Sequence, residues 1–84
     1  MNLTTAVITG HAVVRMAKRG ITVKRVRAIL ARPDELIRVR AGRVVAQGID
    51  GGHLLRVFVD IDRQPPAVVT AYLTSKIDKY RSKP

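Results

Sequence analysis

The apolar residues of this chain change their period once, and that change limits the fold more than any other feature. Between His11 and Leu30 they recur at helical spacing, and from Leu36 onward they alternate. In the first helical stretch Val13, Val14, Met16 and Ala17 fall on one side, and His11, Arg15, Lys18 and Arg19 fall on the other. Gly20 stops this helix as a C-cap residue. Thr22 then reads as the N-cap of a second helix, whose Val23, Val26, Ile29 and Leu30 form a continuous stripe while Lys24, Arg25 and Arg32 face out. Pro33 ends it. The spacing predicts helices over about 11–19 and 23–32.

Strands are expected over about 36–40, 43–49, 53–60 and 67–73, separated by Ala41-Gly42, by Asp50-Gly51-Gly52 and by a turn carrying Pro65 and Pro66. On the last two strands Leu55, Val57, Val59 and Val69, Ala71, Leu73 make two wholly apolar faces. Their opposite faces mix Leu54, Arg56, Phe58 and Asp60 with Val68, Thr70 and Tyr72. One face of the sheet is therefore expected to be core and the other open. The predicted class is α+β: one domain over residues 1–84, with two N-terminal helices packed on one face of a four-stranded antiparallel meander. The β-branched stretch Leu3 to Thr9 leaves room for a short N-terminal edge strand, and the basic tail 74–84 reads as a short helix or a frayed extension.

A chain of 84 residues has room for one core, which buries about 60 to 65% of the surface that the unfolded chain exposes. It contains one Phe, two Tyr, no Trp and no Cys, so the core must be aliphatic and no disulfide framework is available. The segment Met1 to Val14 lacks a basic leader, and no run approaches the roughly 18 to 20 apolar residues of a membrane span. The expectation is a cytoplasmic protein without a membrane partner. Sixteen Lys and Arg against six Asp and Glu give a net charge of +10, which calls for a polyanion or an acidic partner. Eleven of the sixteen are Arg, whose planar fork suits phosphate. Nucleic acid leads, anionic lipid is a distant second, and an acidic protein is compatible with either.

No phosphate-binding glycine loop, zinc motif or cluster of metal-ligating side chains is present, so neither a metal nor a cofactor is expected. Asp60 and Asp62 read as hydrating a turn, and His53 as structural. The face carrying His11, Arg15, Lys18 and Arg19 contains no acid, unlike a helix face kept soluble by mixed charges, and this favours phosphate contact. Thr70 and Tyr72 lie two apart on the mixed sheet face with Arg56 beside them on the neighbouring strand. A hydroxyl, a phenol and a guanidinium fit RNA cleavage, in which a base takes the ribose 2′-OH proton. Cations then stabilise the phosphorane-like transition state, and an acid serves the leaving 5′ oxygen. Arg43 beside its turn, and Lys76, Lys79 and Tyr80 in the tail, are candidates for following a nucleic-acid backbone, with a solubilising tail as the alternative.

The run His11, Arg15-Met16, Arg19-Gly20-Ile21, the helix to Pro33, Gly42-Arg43, Leu55-Arg56-Val57 and Val69-Thr70-Ala71-Tyr72 resembles a widespread family of small bacterial domains of unknown function, number 4258. That family is similar to the RelE/ParE toxins and to the wider group of metal-independent endoribonucleases that includes barnase and colicin D. The resemblance implies a RelE/ParE-like fold and the toxin of a toxin–antitoxin pair that cleaves RNA, free or ribosome-bound, and is inhibited by an acidic antitoxin. By motif position it implies His11, Arg15, Arg56, Thr70 and Tyr72 as the catalytic set, while Lys18, Arg19, Arg43, Lys76 and Lys79 are expected to bind RNA on the ground of their charge and placement. A reading from another class keeps the charge and drops the chemistry: a non-catalytic basic protein, either a nucleic-acid binder or a ParE-like gyrase inhibitor. A homodimer stays open under both.

Overall fold

In the computed structural model, which describes residues 1–81, the chain runs β1 (Val7–Ile8), α1 (Gly10–Lys18), α2 (Val23–Ala31), β2 (Glu35–Arg40), β3 (Arg43–Asp50), β4 (His53–Asp60), β5 (Ala67–Thr74) and α3 (Ile77–Tyr80). The expected tail thus contains one turn of helix, and its last three positions, 82–84, lie outside the described residues. None of the helices described is long and apolar enough to cross a membrane.

Local chemistry explains the boundaries. Thr9 caps α1, its hydroxyl accepting from the Ala12 amide at 3.1 Å while donating to the Val68 carbonyl at 3.0 Å, so one side chain starts the helix and moors it to β5. At the other end Gly20 takes φ +68°, Ile21 N–H donates to the Met16 carbonyl and Gly20 N–H to that of Ala17. This is the Schellman closure, and it brings Ile21 into the same buried cluster as Met16. Thr22 caps α2 by accepting from the Arg25 amide. Gly51 and Gly52, both at positive φ, join Asp50 to His53 in the two-residue loop that such dihedrals permit.

The sheet has five strands in the order β1-β5-β4-β3-β2, and it is mixed. The expected antiparallel meander accounts for β2 to β5. The correction is β1, which pairs parallel to β5 through Val7↔Ala67 and Ile8↔Val68. The N-terminal segment occupies the free edge of the last strand, and α1, α2 and the meander between them supply the crossover connection that a parallel pair requires.

A second correction concerns which side chains of β5 are core. Phe58 pairs with Thr70 but Val59 pairs with Val68, so Val69 is an extra residue with no partner on β4. Val68, expected on the mixed face, is fully buried and joins Val57, Val59 and Ala71 in the cluster under the helices, whereas Val69 is only half-buried. The helices roll accordingly. Ala12 and Met16 face the sheet in α1, leaving Val13 and Val14 at 42% and 53% exposure. In α2, Val26, Ile29 and Leu30 are buried as the stripe requires, but Val23 is exposed. Small Ala12 lets α1 lie close over β5, and that contact, rather than the widest apolar arc, sets the helix rotation.

Because the bulge exchanges the roles of two adjacent valines, Val68→Ala should destabilise the fold by about 1–3 kcal/mol and Val69→Ala by less than about 1 kcal/mol. Urea denaturation of the two variants checks this. Equal losses would mean that the strand is unbulged.

Candidate functional site

The face of the sheet away from α1 and α2 carries one polar row that crosses four strands. Strand register sets Glu35 opposite Gln47, Gln47 opposite Arg56, and Arg56 opposite Tyr72. Cross-strand neighbours on one face lie within side-chain reach, and here each link is a hydrogen bond. The Gln47 amide donates to Glu35 Oε1 at 3.0 Å, Arg56 Nε donates to Gln47 Oε1 at 2.9 Å, and Arg56 Nη1 donates to the Tyr72 hydroxyl at 2.6 Å. Gln47 is completely buried, and its amide also donates to the Tyr80 carbonyl at 2.9 Å.

That last bond draws α3 across the row. The Tyr80 ring meets Tyr72 edge-on with centroids 6.4 Å apart, and the Arg56 guanidinium lies 4.3 Å from the Tyr80 ring centroid. Phe58 stacks on Tyr72 at 5.9 Å and 18°, which places Arg56 among three aromatic rings. The sheet face expected to be open is thus partly covered, and Val45 and Leu54 are buried on it. Within this group the Tyr80 hydroxyl is held below the ordinary phenol range. The main cause is a hydrogen bond from Tyr72 to its phenolate form. The positive charge of Lys79 adds to it, partial burial opposes it, and a Lys79 hydrogen bond and the Arg56 charge contribute less.

Thr70 sits one pair along β5, opposite Phe58. Arg19, the C-cap residue of α1, reaches round the sheet edge beyond β1 and donates through Nη1 to Thr70 Oγ1 at 3.1 Å and to the Ala71 carbonyl at 2.9 Å. The structure therefore joins Arg56 to Tyr72 and Arg19 to Thr70 on neighbouring positions of one strand. It does not bring His11 or Arg15 to them. Both are exposed on α1, which packs on the opposite face of the sheet, and neither they nor Lys18 make a side-chain hydrogen bond among the described residues. These three form an acid-free basic surface that meets the Thr70 position only around the β5 edge.

Arg43 is committed elsewhere. Its Nε and Nη2 donate to the two carboxylate oxygens of Asp60 at 2.6 and 3.2 Å. That hydrogen bonding raises the arginine and lowers the Asp60 carboxyl below its usual range, with burial opposing in both cases. Lys79 stands 5.2 Å from the Tyr80 ring centroid, and the Lys76 backbone amide donates to the Thr74 hydroxyl. On α2, Arg25 is paired with Asp50 at 2.6 Å and Arg27 donates to the Ala6 carbonyl. Among the described residues no three His, Cys, Asp or Glu side chains gather into a set that could hold a metal ion.

Glu35 and Gln47 are the members of this site that the residue pattern did not single out, and Tyr80 was expected only as a tail residue along a nucleic-acid backbone. Gln47 is an isolated polar residue in an apolar strand, which is a usable signal for a satisfied internal network. Tyr80 had no signal beyond being the last aromatic of a basic tail.

Residues 8–73, from the end of β1 into β5, match the family model described as Domain of unknown function (DUF4258). No curated protein and no solved structure matches the chain.

Tyr72→Phe removes the largest influence on Tyr80 and leaves Tyr80 as the sole tyrosine, so its ultraviolet titration should move up toward the ordinary phenol value of about 10. An unchanged midpoint would show that the two hydroxyls do not interact. For Asp60 the folded carboxyl titrates below the unfolded one, so its contribution is full above about pH 4 and lost as pH falls through the folded value. Asp60→Asn should therefore flatten the acid limb of stability measured against pH. The cost at neutral pH should be about 0.2–1 kcal/mol, as for a partly exposed pair.

Proposed function

The chain belongs to the DUF4258 family of domains of unknown function, and from the site it builds we propose that it binds RNA and cleaves it without a metal ion. In this reading it is the cytoplasmic toxin of a RelE/ParE-like toxin–antitoxin pair. The observation that carries the reading is the Arg56–Tyr72 bond of 2.6 Å beside Tyr80, a phenol held below its ordinary range. Two phenols packed edge to face beside a fixed cation supply an acid, a base and charge stabilisation in one place.

The proposed chemistry follows from those atoms. Tyr80 as phenolate takes the proton of a ribose 2′-OH, whose oxygen attacks the adjacent phosphorus. Arg56 stabilises the charge that develops on the phosphoryl oxygens. Tyr72 donates its proton to the leaving 5′ oxygen as that bond breaks, giving a 2′,3′-cyclic phosphate and a 5′-hydroxyl. Proton transfer from Tyr80 to Tyr72 by way of solvent returns the pair to its starting state. Thr70, held by Arg19, is placed to bind the neighbouring phosphate. His11, Arg15 and Lys18 serve binding in this scheme, because α1 keeps them on the far side of the sheet. The proposed antitoxin is an acidic protein that complements the net charge of +10.

One observation favours a second reading, a non-catalytic RNA binder or gyrase inhibitor: Arg56 spends hydrogen bonds on Gln47 and Tyr72 inside the protein. Incubating the protein with RNA in EDTA, alone and with ribosomes, separates the two. Cleavage leaving cyclic phosphate ends is expected, with Tyr80→Phe and Tyr72→Phe each slowing it by about 10²-fold or more at unchanged RNA affinity. No cleavage under either condition leaves the binder.

Binding itself should be steep in salt, since each phosphate contact on a single strand contributes roughly 0.7 to the log–log slope. Arg15→Ala with Lys18→Ala should reduce the slope's magnitude by roughly 1.4. Lys24→Ala with Arg25→Ala should do less, because Arg25 already faces Asp50. Equal effects from both helices would remove α1 from the interface.

A further inference from the structure

We infer that Gln47 is the positioning residue of this site, its buried amide coupling the seating of α3 to the orientation of Arg56. The inference rests on the proposed function for its catalytic consequence, but its geometry stands apart from that reading. Gln47 uses both ends of one amide. The NH2 donates to the Glu35 carboxylate and to the Tyr80 carbonyl, and the oxygen accepts from Arg56 Nε. All three partners lie on different elements, namely β2, α3 and β4. A buried amide whose donors and acceptor are all engaged has one orientation, because rotating it by half a turn would set its oxygen against a carboxylate and a carbonyl and its NH2 against a guanidinium.

The consequence is a linkage. Helix α3 is four residues long and has no buried residue of its own, so it contributes little hydrophobic anchorage. Its last residue is tied to the sheet by the Gln47 bond and by the contacts of the Tyr80 ring with Arg56 and Tyr72. The contact with Arg56 exists only while the guanidinium points along the row, where Gln47 holds its Nε and Tyr72 its Nη1. Losing the amide therefore frees the Tyr80 carbonyl and removes one of the two bonds that orient Arg56, so the base and the cation lose their alignment together. Glu35 fixes the orientation of the amide from the far side.

Two variants separate the halves of this role. Gln47→Glu keeps an acceptor for Arg56 but cannot donate to Tyr80, and it sets a second carboxylate beside Glu35. Gln47→Leu has similar volume and loses both links. In either variant the ultraviolet titration of Tyr80 should move up toward that of a free phenol, while α1, α2 and the sheet keep their circular dichroism. In the RNA assay kcat should fall by roughly 10- to 100-fold with KM changed less than about twofold, and Gln47→Glu should fall less than Gln47→Leu. If Tyr80 titrates as in the unmutated protein in both variants, the coupling is refuted whatever happens to RNA. If Tyr80 moves but the protein never cleaves RNA, the coupling stands and the catalytic reading fails. Should the variants not fold, the unmutated protein still decides. Its Gln47 side-chain NH2 protons should exchange with D2O far more slowly than those of the exposed Asn2, and exchange at the Asn2 rate would overturn the inference.

Discussion

The extra residue at Val69 turns β5 by one side chain, and both faces of the sheet depend on that turn. Upstream of it Val68 joins the helical side, where α1 is moored through Thr9 to the Val68 carbonyl. Downstream of it Thr70 and Tyr72 stay on the other side, opposite Phe58 and Arg56. Without the bulge one of these arrangements would have to fail, because side chains alternate strictly along an unbroken strand. The insertion thus lets one strand serve the main core and the polar row in consecutive residues, and β-bulges are common where a side chain must be re-aimed in this way.

The distribution of acids gives the charge its direction. Asp34 accepts from the Ile49 amide, Glu35 from Gln47, Asp50 from Arg25 and Asp60 from Arg43. Four of the six carboxylates are therefore occupied within the fold. The positive surplus left over includes Arg15 and Lys18 on the exposed face of α1, which has no acid in its sequence. Internal pairing thus does more than stabilise: by drawing the negative charge inward it leaves an outward field of one sign, the condition for attracting a polyanion over distance.

Much of this was legible in the residues, and the illegible parts have identifiable causes. Strand limits followed from alternation and turn chemistry, as at Asp50-Gly51-Gly52, and the cross-strand neighbourhood of Arg56, Thr70 and Tyr72 followed from pairing. The bulge left no trace because Val68 and Val69 are the same residue type, so parity could be counted from either. Helix rotation was misread at Val13 and Val14 because a short helix rich in small and apolar residues has more than one plausible buried arc, and contact with β5 chooses between them. The position of His11 relative to Tyr72 depends on which face of the sheet the helix covers, which no local spacing encodes. Tyr80 reaches the site through a backbone carbonyl, a group that every residue possesses and that therefore marks nothing in a sequence.

The short parallel strand β1 also bears on how the molecule assembles. Thr9 bonds a carbonyl 59 residues further along the chain, and α1 finds its sheet surface chiefly on β5. The first strand lacks its pairing partner, and the first helix its main packing surface, until residues 67–74 are in place. Folding should begin in the local hairpins of β2 to β5 and close the N-terminal segment last, since distant pairings carry the larger loop-closure entropy. A nascent chain would thus keep α1 undocked until the final strand has emerged, and the surface proposed to meet RNA would be the last part of the protein to become rigid.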